Sequence, residues 1–210
     1  MYRLHGKSGF WLTPSLPKIG IPVEGVDLAE LTGQTSTASL YTGGARPGYA
    51  ESASMFLIGM RGAGKSYLGG LAAQVLERQF LDADEYFVEQ VGVEIMAFVS
   101  QNGWPAFREK ETELLRRLIE TKPKGYIISL GGGIVETPAA RQILKDYMQT
   151  AGPVIHIVRE INEIRQYFGE IGENTSTRPS LGEPAAAVFQ RRQPWFYECS
   201  TYDYVNYTGV

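Results

Sequence analysis

Short apolar runs alternate with longer stretches of helical periodicity from residue 55 onward. Residues 55–58 read Met-Phe-Leu-Ile, a run with the length of a buried strand, and similar runs lie at 80–81, 126–130, 154–158 and 202–206. Helical spacing follows at 68–76, 84–91, 94–102, 105–121 and 138–147, and on both sides of a polar stretch at 169–182. This alternation predicts an α/β fold with a parallel sheet and helices on both faces. In such sheets ligands bind at the carboxyl ends of the strands.

Residues 1–54 show neither pattern and are rich in Gly, Pro, Ser and Thr. Such a segment buries too little apolar surface to offset the entropy lost on ordering. We therefore expect an extended or partly disordered arm over 1–54, which contacts the rest through Phe10, Trp11 and Leu12, and a folded domain over 55–210.

The composition narrows the class of protein. Of 210 residues, 43% are hydrophobic and 20% are charged, which is typical of a folded domain, and the net charge of -3 argues against a surface that binds nucleic acid directly. The single cysteine, Cys199, has no partner for an internal disulfide. The apolar runs are too short for a signal peptide or for the ~20 residues of a membrane span. We expect an intracellular protein with no membrane partner.

The strongest chemical signal is a phosphate-binding loop, Gly59-Met-Arg-Gly-Ala-Gly-Lys65-Ser66, between a predicted strand and a predicted helix. Its glycines let successive N–H groups point at phosphates, and the helix N-terminus adds a favourable dipole. Lys65 would reach the β- and γ-phosphates, and the Ser66 hydroxyl would coordinate Mg²⁺. The alternative is a glycine turn with a solvated lysine.

Two carboxylates, Asp82 and Asp84, follow the second strand of the folded region. One could hold Mg²⁺ through water while the other accepts a hydroxyl proton. An Asp after a strand is also a common helix N-cap.

Four further features have a functional and a plain interpretation. Arg108 is either a bidentate clamp for a substrate carboxylate or an ion-pair partner of Glu111. Gly131, Gly132 and Gly133 either let substrate approach the backbone or form a loose turn. Arg178 is either a lid arginine that covers the transferring phosphoryl group or a surface charge. Arg191 and Arg192 provide a second cation or a solvated pair.

These features occur in the order and approximate spacing of the shikimate kinase family. Within it the chain most resembles the kinase domain of the fungal pentafunctional AROM polypeptide, through motifs such as Gly103-Trp-x-x-Phe-Arg, Gly131-Gly-Gly-x-Val-Glu-Thr-Pro and Arg191-Arg-x-Pro-Trp-Phe. The resemblance covers about residues 55–205. It implies a nucleoside-monophosphate-kinase-like fold with a five-stranded parallel sheet and a mobile lid.

The resemblance also implies roles for individual residues. The nucleotide, ATP or ADP, would bind a set of loop residues: Gly59, Gly62, Ala63, Gly64, Lys65, Ser66 and Tyr67. Ser66 and Asp82 would hold Mg²⁺, and Asp84 would deprotonate the shikimate 3-hydroxyl. Arg108 and Arg192 would grip the shikimate carboxylate, with Gly131–Gly133 lining the substrate and Arg178 closing the lid.

Two departures from the family pattern leave two functional hypotheses. Tyr67 replaces a small hydroxyl residue and Gly70 a basic one, and both changes are expected to weaken nucleotide binding. The stop at Val210 suggests a domain of a longer polypeptide. The first hypothesis is the ligand-binding domain of a fungal quinate repressor, cytoplasmic or nuclear, that binds shikimate or a related metabolite and contacts a transcriptional activator protein. The second hypothesis is an active shikimate kinase.

Overall fold

Seven strands form one sheet in the computed structural model, which describes residues 3–4, 10–14, 48–164 and 183–207. In chain order they are β1 (Arg3–Leu4), β2 (Phe10–Pro14), β3 (Met55–Ile58), β4 (Gln79–Asp82), β5 (Tyr126–Ser129), β6 (Val154–Val158) and β7 (Tyr202–Val205). The last five are parallel, in the order β7-β6-β3-β5-β4. This confirms the predicted five-stranded parallel sheet. β2 pairs antiparallel with β7 and β1 with β2.

Helices connect the parallel strands as the periodicity predicts. They are α1 (Lys65–Val75), α2 (Ala83–Val91), α3 (Ile95–Thr121), α4 (Pro138–Thr150), α5 (Ala185–Glu198) and a short 3-10 turn at Ile134–Glu136. Two predicted strands end one residue earlier than expected, and α4 runs one turn further, to Thr150, because Met148 is also buried. The polar stretch 169–182 lies outside the described residues.

α3 is broken at Gly103, as the two predicted helices at 94–102 and 105–121 require. Gly103 has φ 81° and ψ 168°, a backbone conformation that side chains rarely adopt. Pro105 lies in the first turn after the break, where a missing N–H costs no helical hydrogen bond. Because the second helical segment begins after this break, Arg108 lies near its start.

The buried apolar side chains form two separate hydrophobic clusters. The larger lies on the parallel sheet, around Phe56, Ile128 and Leu144. The smaller joins α2 to α3 through Phe87, Val99, Phe107 and their neighbours. Among the helices that the structure describes, none is both long and apolar enough to cross a bilayer.

Candidate active site

The loop between β3 and α1 curls through three glycines with positive φ. The φ values are 144° at Gly59, 80° at Gly62 and 92° at Gly64. A Cβ on Gly59 would also lie only 2.4 Å from the carbonyl oxygen of Ile157. Gly64 is the N-cap of α1, so the first helical N–H groups lie at the end of the loop and favour an anion. The loop therefore curls at its glycines, and the N–H of Ala63 donates to the carbonyl oxygen of Met60 at 3.2 Å within it.

Lys65 folds back over this loop. Its side chain is buried, and Nζ donates to the carbonyl oxygens of Gly59 and Met60, both at 3.0 Å. The ammonium group is thus held at the loop, where a phosphate would meet it.

A hydroxyl and a carboxylate meet at the carboxyl ends of β4 and β5. Ser66 Oγ donates to Asp82 Oδ2 at 2.6 Å and lies 3.5 Å from Ser129 Oγ. Asp82 Oδ1 accepts from the N–H of Asp84 at 3.0 Å, so Asp82 is also the N-cap of α2. Both interpretations of Asp82 are therefore compatible, because one oxygen caps the helix while the other faces Ser66. Hydroxyl and carboxylate oxygens are hard ligands of the kind that Mg²⁺ prefers.

The glycine segment after β5 lies between the phosphate loop and a set of charged side chains. A Cβ on Gly131 would lie 2.5 Å from Glu111 Oε1 and 3.2 Å from Asp84 Oδ1. A Cβ on Gly132 would lie 3.0 Å from the backbone nitrogen of Arg61, in the phosphate loop. Backbone of the phosphate loop leaves little room for a side chain at Gly132, whereas at Gly131 the nearest atom is the end of a flexible side chain.

Arg108 lies against the third of these glycines. A Cβ on Gly133 would lie 2.0 Å from Arg108 Nη2. Nη1 donates to Glu111 Oε2 at 2.7 Å, and the guanidinium carbon lies 5.1 Å from the Trp104 ring centre and 5.3 Å from that of Phe107. The predicted ion pair with Glu111 is confirmed, and it holds the guanidinium at the glycine segment.

Glu111 itself belongs to the site, although the sequence indicated it only as a partner of Arg108. Burial raises the pKa of the Glu111 carboxyl, and the charge of Arg108 offsets this only in part. Because the side chain also touches Gly131, it links the arginine to the part of the site that contains Asp84.

Arg192 brings a second arginine, a buried one, from α5. Its Nε donates to Glu136 Oε1 at 2.7 Å, and Arg191 Nη2 donates to the same oxygen at 3.1 Å. Burial, together with the charge of Arg108, lowers the pKa of Arg192 despite the opposing effect of Glu136. Burial works to raise the pKa of Glu136, but its pairs with Arg192 and Arg191 outweigh burial and lower it. Arg108 and Arg192 thus lie close enough for their charges to interact.

Three predicted residues remain to be placed. Tyr67 lies in the first turn of α1 and is an exposed residue, at 53%, and a Cβ on Gly70 would meet open space. Arg178 lies outside the described residues.

Comparisons with known proteins agree on one family. The shikimate kinase family model matches residues 61–208. The pentafunctional AROM polypeptide of Mycosarcoma maydis is 49% identical over 162 residues, which are 76% of this chain but 9% of that polypeptide. The shikimate kinase of Acinetobacter baumannii, solved in complex with shikimate, superposes with a TM-score of 0.63 and 26% identity over 72% of this chain and 82% of that one. The Aquifex aeolicus shikimate kinase gives a TM-score of 0.57 and 26% identity over 74% and 86% of the two chains.

The comparisons agree with the observed fold and with the family that the sequence motifs indicated. A glycine loop, a strand-end carboxylate pair and Arg108 lie around one glycine segment, and the family model covers this arrangement from residue 61 onward. The chain belongs to the shikimate kinase family.

Proposed function

We propose that this chain is an active shikimate kinase domain, which transfers the γ-phosphoryl group of ATP to the 3-hydroxyl of shikimate. The observation that carries the proposal is the glycine segment, which lies against the phosphate loop at Gly132 and against the half-buried Arg108 at Gly133. A phosphate bound at the loop and a carboxylate bound by Arg108 would therefore lie side by side, as phosphoryl transfer to a small acid requires. We assign the activity to residues 55–210.

The comparisons favour this hypothesis over the quinate repressor. The relatives named above are the pentafunctional AROM polypeptide and shikimate kinases, one of them in complex with shikimate. They bring no support for a role in quinate regulation or for a transcriptional activator as partner.

The nucleotide half of the site consists of the phosphate loop and the Ser66–Asp82 pair. Backbone N–H groups of Gly62 and Gly64 would bind phosphate oxygens, and Lys65 would neutralise part of their charge. The N–H of Ala63 donates to the carbonyl oxygen of Met60 at 3.2 Å, and this residue would line the phosphates. Ser66 and Asp82 would hold Mg²⁺, which supplies charge neutralisation at the phosphates when bound.

The acceptor half consists of carboxylates and arginines. Arg108 and Arg192 would bind the shikimate carboxylate by charge-assisted hydrogen bonds. Asp84 would orient the 3-hydroxyl and take its proton, since it lies at the glycine segment beside the phosphate loop. Arg178 would close over the transferring group.

A coupled ADP-release assay with Mg²⁺, ATP and shikimate tests the proposal. We expect turnover within the usual kinase range of about 1–100 per second. Asp84→Asn, which keeps the shape but removes the proton acceptor, should lower kcat by ~100-fold or more. Asp146→Asn, a change at an exposed carboxylate on α4, is the matched control and should not alter kcat. Shikimate binding without turnover would refute the kinase proposal.

A further inference from the structure

Two outward-facing carbonyls of the phosphate loop are bound by side chains from other strands. Arg159 directly follows β6, and its Nη1 donates to the carbonyl oxygen of Gly62 at 2.8 Å. Asn206 directly follows β7, and its Nδ2 donates to the carbonyl oxygen of Ala63 at 3.0 Å. Both side chains are buried, with residue exposures of 7% and 1%.

These bonds act on the orientation of the loop. When the N–H groups of a phosphate loop point inward, its carbonyl groups point away from the phosphate and need donors elsewhere. Ala63 is fully buried, so its carbonyl depends on protein donors. Because the two bonded carbonyls belong to consecutive residues, they restrain the peptide planes that carry the N–H groups of Ala63 and Gly64. The N–H of Ala63 donates to the carbonyl oxygen of Met60 at 3.2 Å, which also fixes the turn of the loop.

The donors are themselves tied to the sheet. The backbone N–H of Asn206 donates to the carbonyl oxygen of Val158 at 2.8 Å, which joins the ends of β6 and β7. Arg159 Nε lies 3.4 Å from Glu163 Oε2. The loop therefore takes its position from two neighbouring strand ends in addition to β3, which precedes it.

We propose that Arg159 and Asn206 are positioning residues that hold the phosphate loop in its nucleotide-binding conformation. They do not touch the nucleotide and act through the carbonyls of Gly62 and Ala63. This inference rests on the proposed function, since it takes the ligand of the loop to be a nucleotide.

The test measures the Kd of MgADP by calorimetry for Arg159→Met and Asn206→Leu. Each variant keeps much of the side-chain volume but removes the donor, and we expect MgADP to bind about tenfold more weakly. Shikimate affinity should be unchanged, because the changes lie at the nucleotide half. Arg159→Lys keeps a cationic donor and should restore most of the affinity. In the ligand-free variants, amide hydrogen exchange at residues 62–65 should become faster than in the parent.

Arg78→Met is the matched control. Arg78 Nη1 also donates to a backbone carbonyl, that of Ala53, at 2.5 Å, but Ala53 precedes the amino end of β3, opposite the loop. This change should lower thermal stability without altering the Kd of MgADP.

The outcomes separate this inference from the proposed function. If the parent binds MgADP and the folded Arg159→Met and Asn206→Leu variants bind it equally well, the positioning role is refuted and the kinase proposal stands. If the parent binds no MgADP, both are refuted. If Asn206→Leu does not fold, Arg159→Met and Arg159→Lys decide the question.

Discussion

Replacing Gly133 by alanine should impair the proposed carboxylate clamp while leaving the fold intact. Gly133 has φ -104° and ψ 3°, which alanine also adopts, so the change brings no backbone strain. The new Cβ would lie 2.0 Å from Arg108 Nη2, 2.4 Å from Cζ and 2.5 Å from Nη1. The guanidinium would have to withdraw by more than about 1 Å to reach ordinary van der Waals contact.

The expected loss of shikimate affinity follows from the hydrogen bonds that the Arg108 guanidinium would make to the ligand. A hydrogen bond to a charged group contributes roughly 1.5–3 kcal/mol, so losing the Arg108 contact should weaken shikimate binding about 10- to 150-fold. The free energy of unfolding should change by less than about 1 kcal/mol, because the group that must move is the far end of a flexible side chain.

Titration calorimetry measures the shikimate affinity, and urea unfolding measures the free energy of unfolding. Gly70→Ala is the control, since a Cβ there meets open space in the interior of α1. It should raise the free energy of unfolding by about 0.5–1 kcal/mol and leave shikimate affinity unchanged. A folded Gly133→Ala variant that binds shikimate within about twofold of the parent would refute the assignment of Arg108 as the clamp.

Three further predictions test other parts of the site. Lys65→Met should lower kcat by ~100-fold or more in the ADP-release assay and leave the Kd of shikimate unchanged, because the lost charge faces the phosphates. An equal loss of kcat and of shikimate affinity would contradict the separation of the nucleotide half from the acceptor half. Tyr67→Thr should lower the Kd of MgADP in calorimetry, since a smaller hydroxyl leaves more room beside the phosphates; an unchanged Kd would show that the tyrosine does not hinder binding. The folded pKa of Glu136 is lowered by its arginine pairs, so its stabilising contribution is complete above the usual pKa of about 4.3 and is lost as pH falls through the lower, folded value. Urea unfolding from pH 3 to 7 should therefore show Glu136→Gln less stable than the parent near neutrality, with a difference that shrinks in acid; a pH-independent difference would contradict the ion-pair origin.

Local pattern alone predicted the helices, the five parallel strands and the phosphate loop, but not β1 and β2. The break in α3 is an example, because Gly103 and Pro105 affect the backbone conformation of their own helical turn. The geometry of residues 59–66 is another, since positive φ at three glycines is a property of those residues themselves. Asp82 was more ambiguous, and its two interpretations proved compatible because the carboxylate has two oxygens with separate partners.

Contacts between distant segments depended on the tertiary structure. Glu136 and Arg192 lie 56 residues apart, and they meet only because the 3-10 turn after β5 packs against α5. Asn206 meets Ala63 across 143 residues because β7 lies beside β6, which lies beside β3. The sequence by itself determined which segments are parallel strands, helices and phosphate loop, since short-range periodicity and glycine conformation depend on near neighbours. The order of the strands in the sheet, which no local pattern contains, decided which charges pair and which side chains hold the loop.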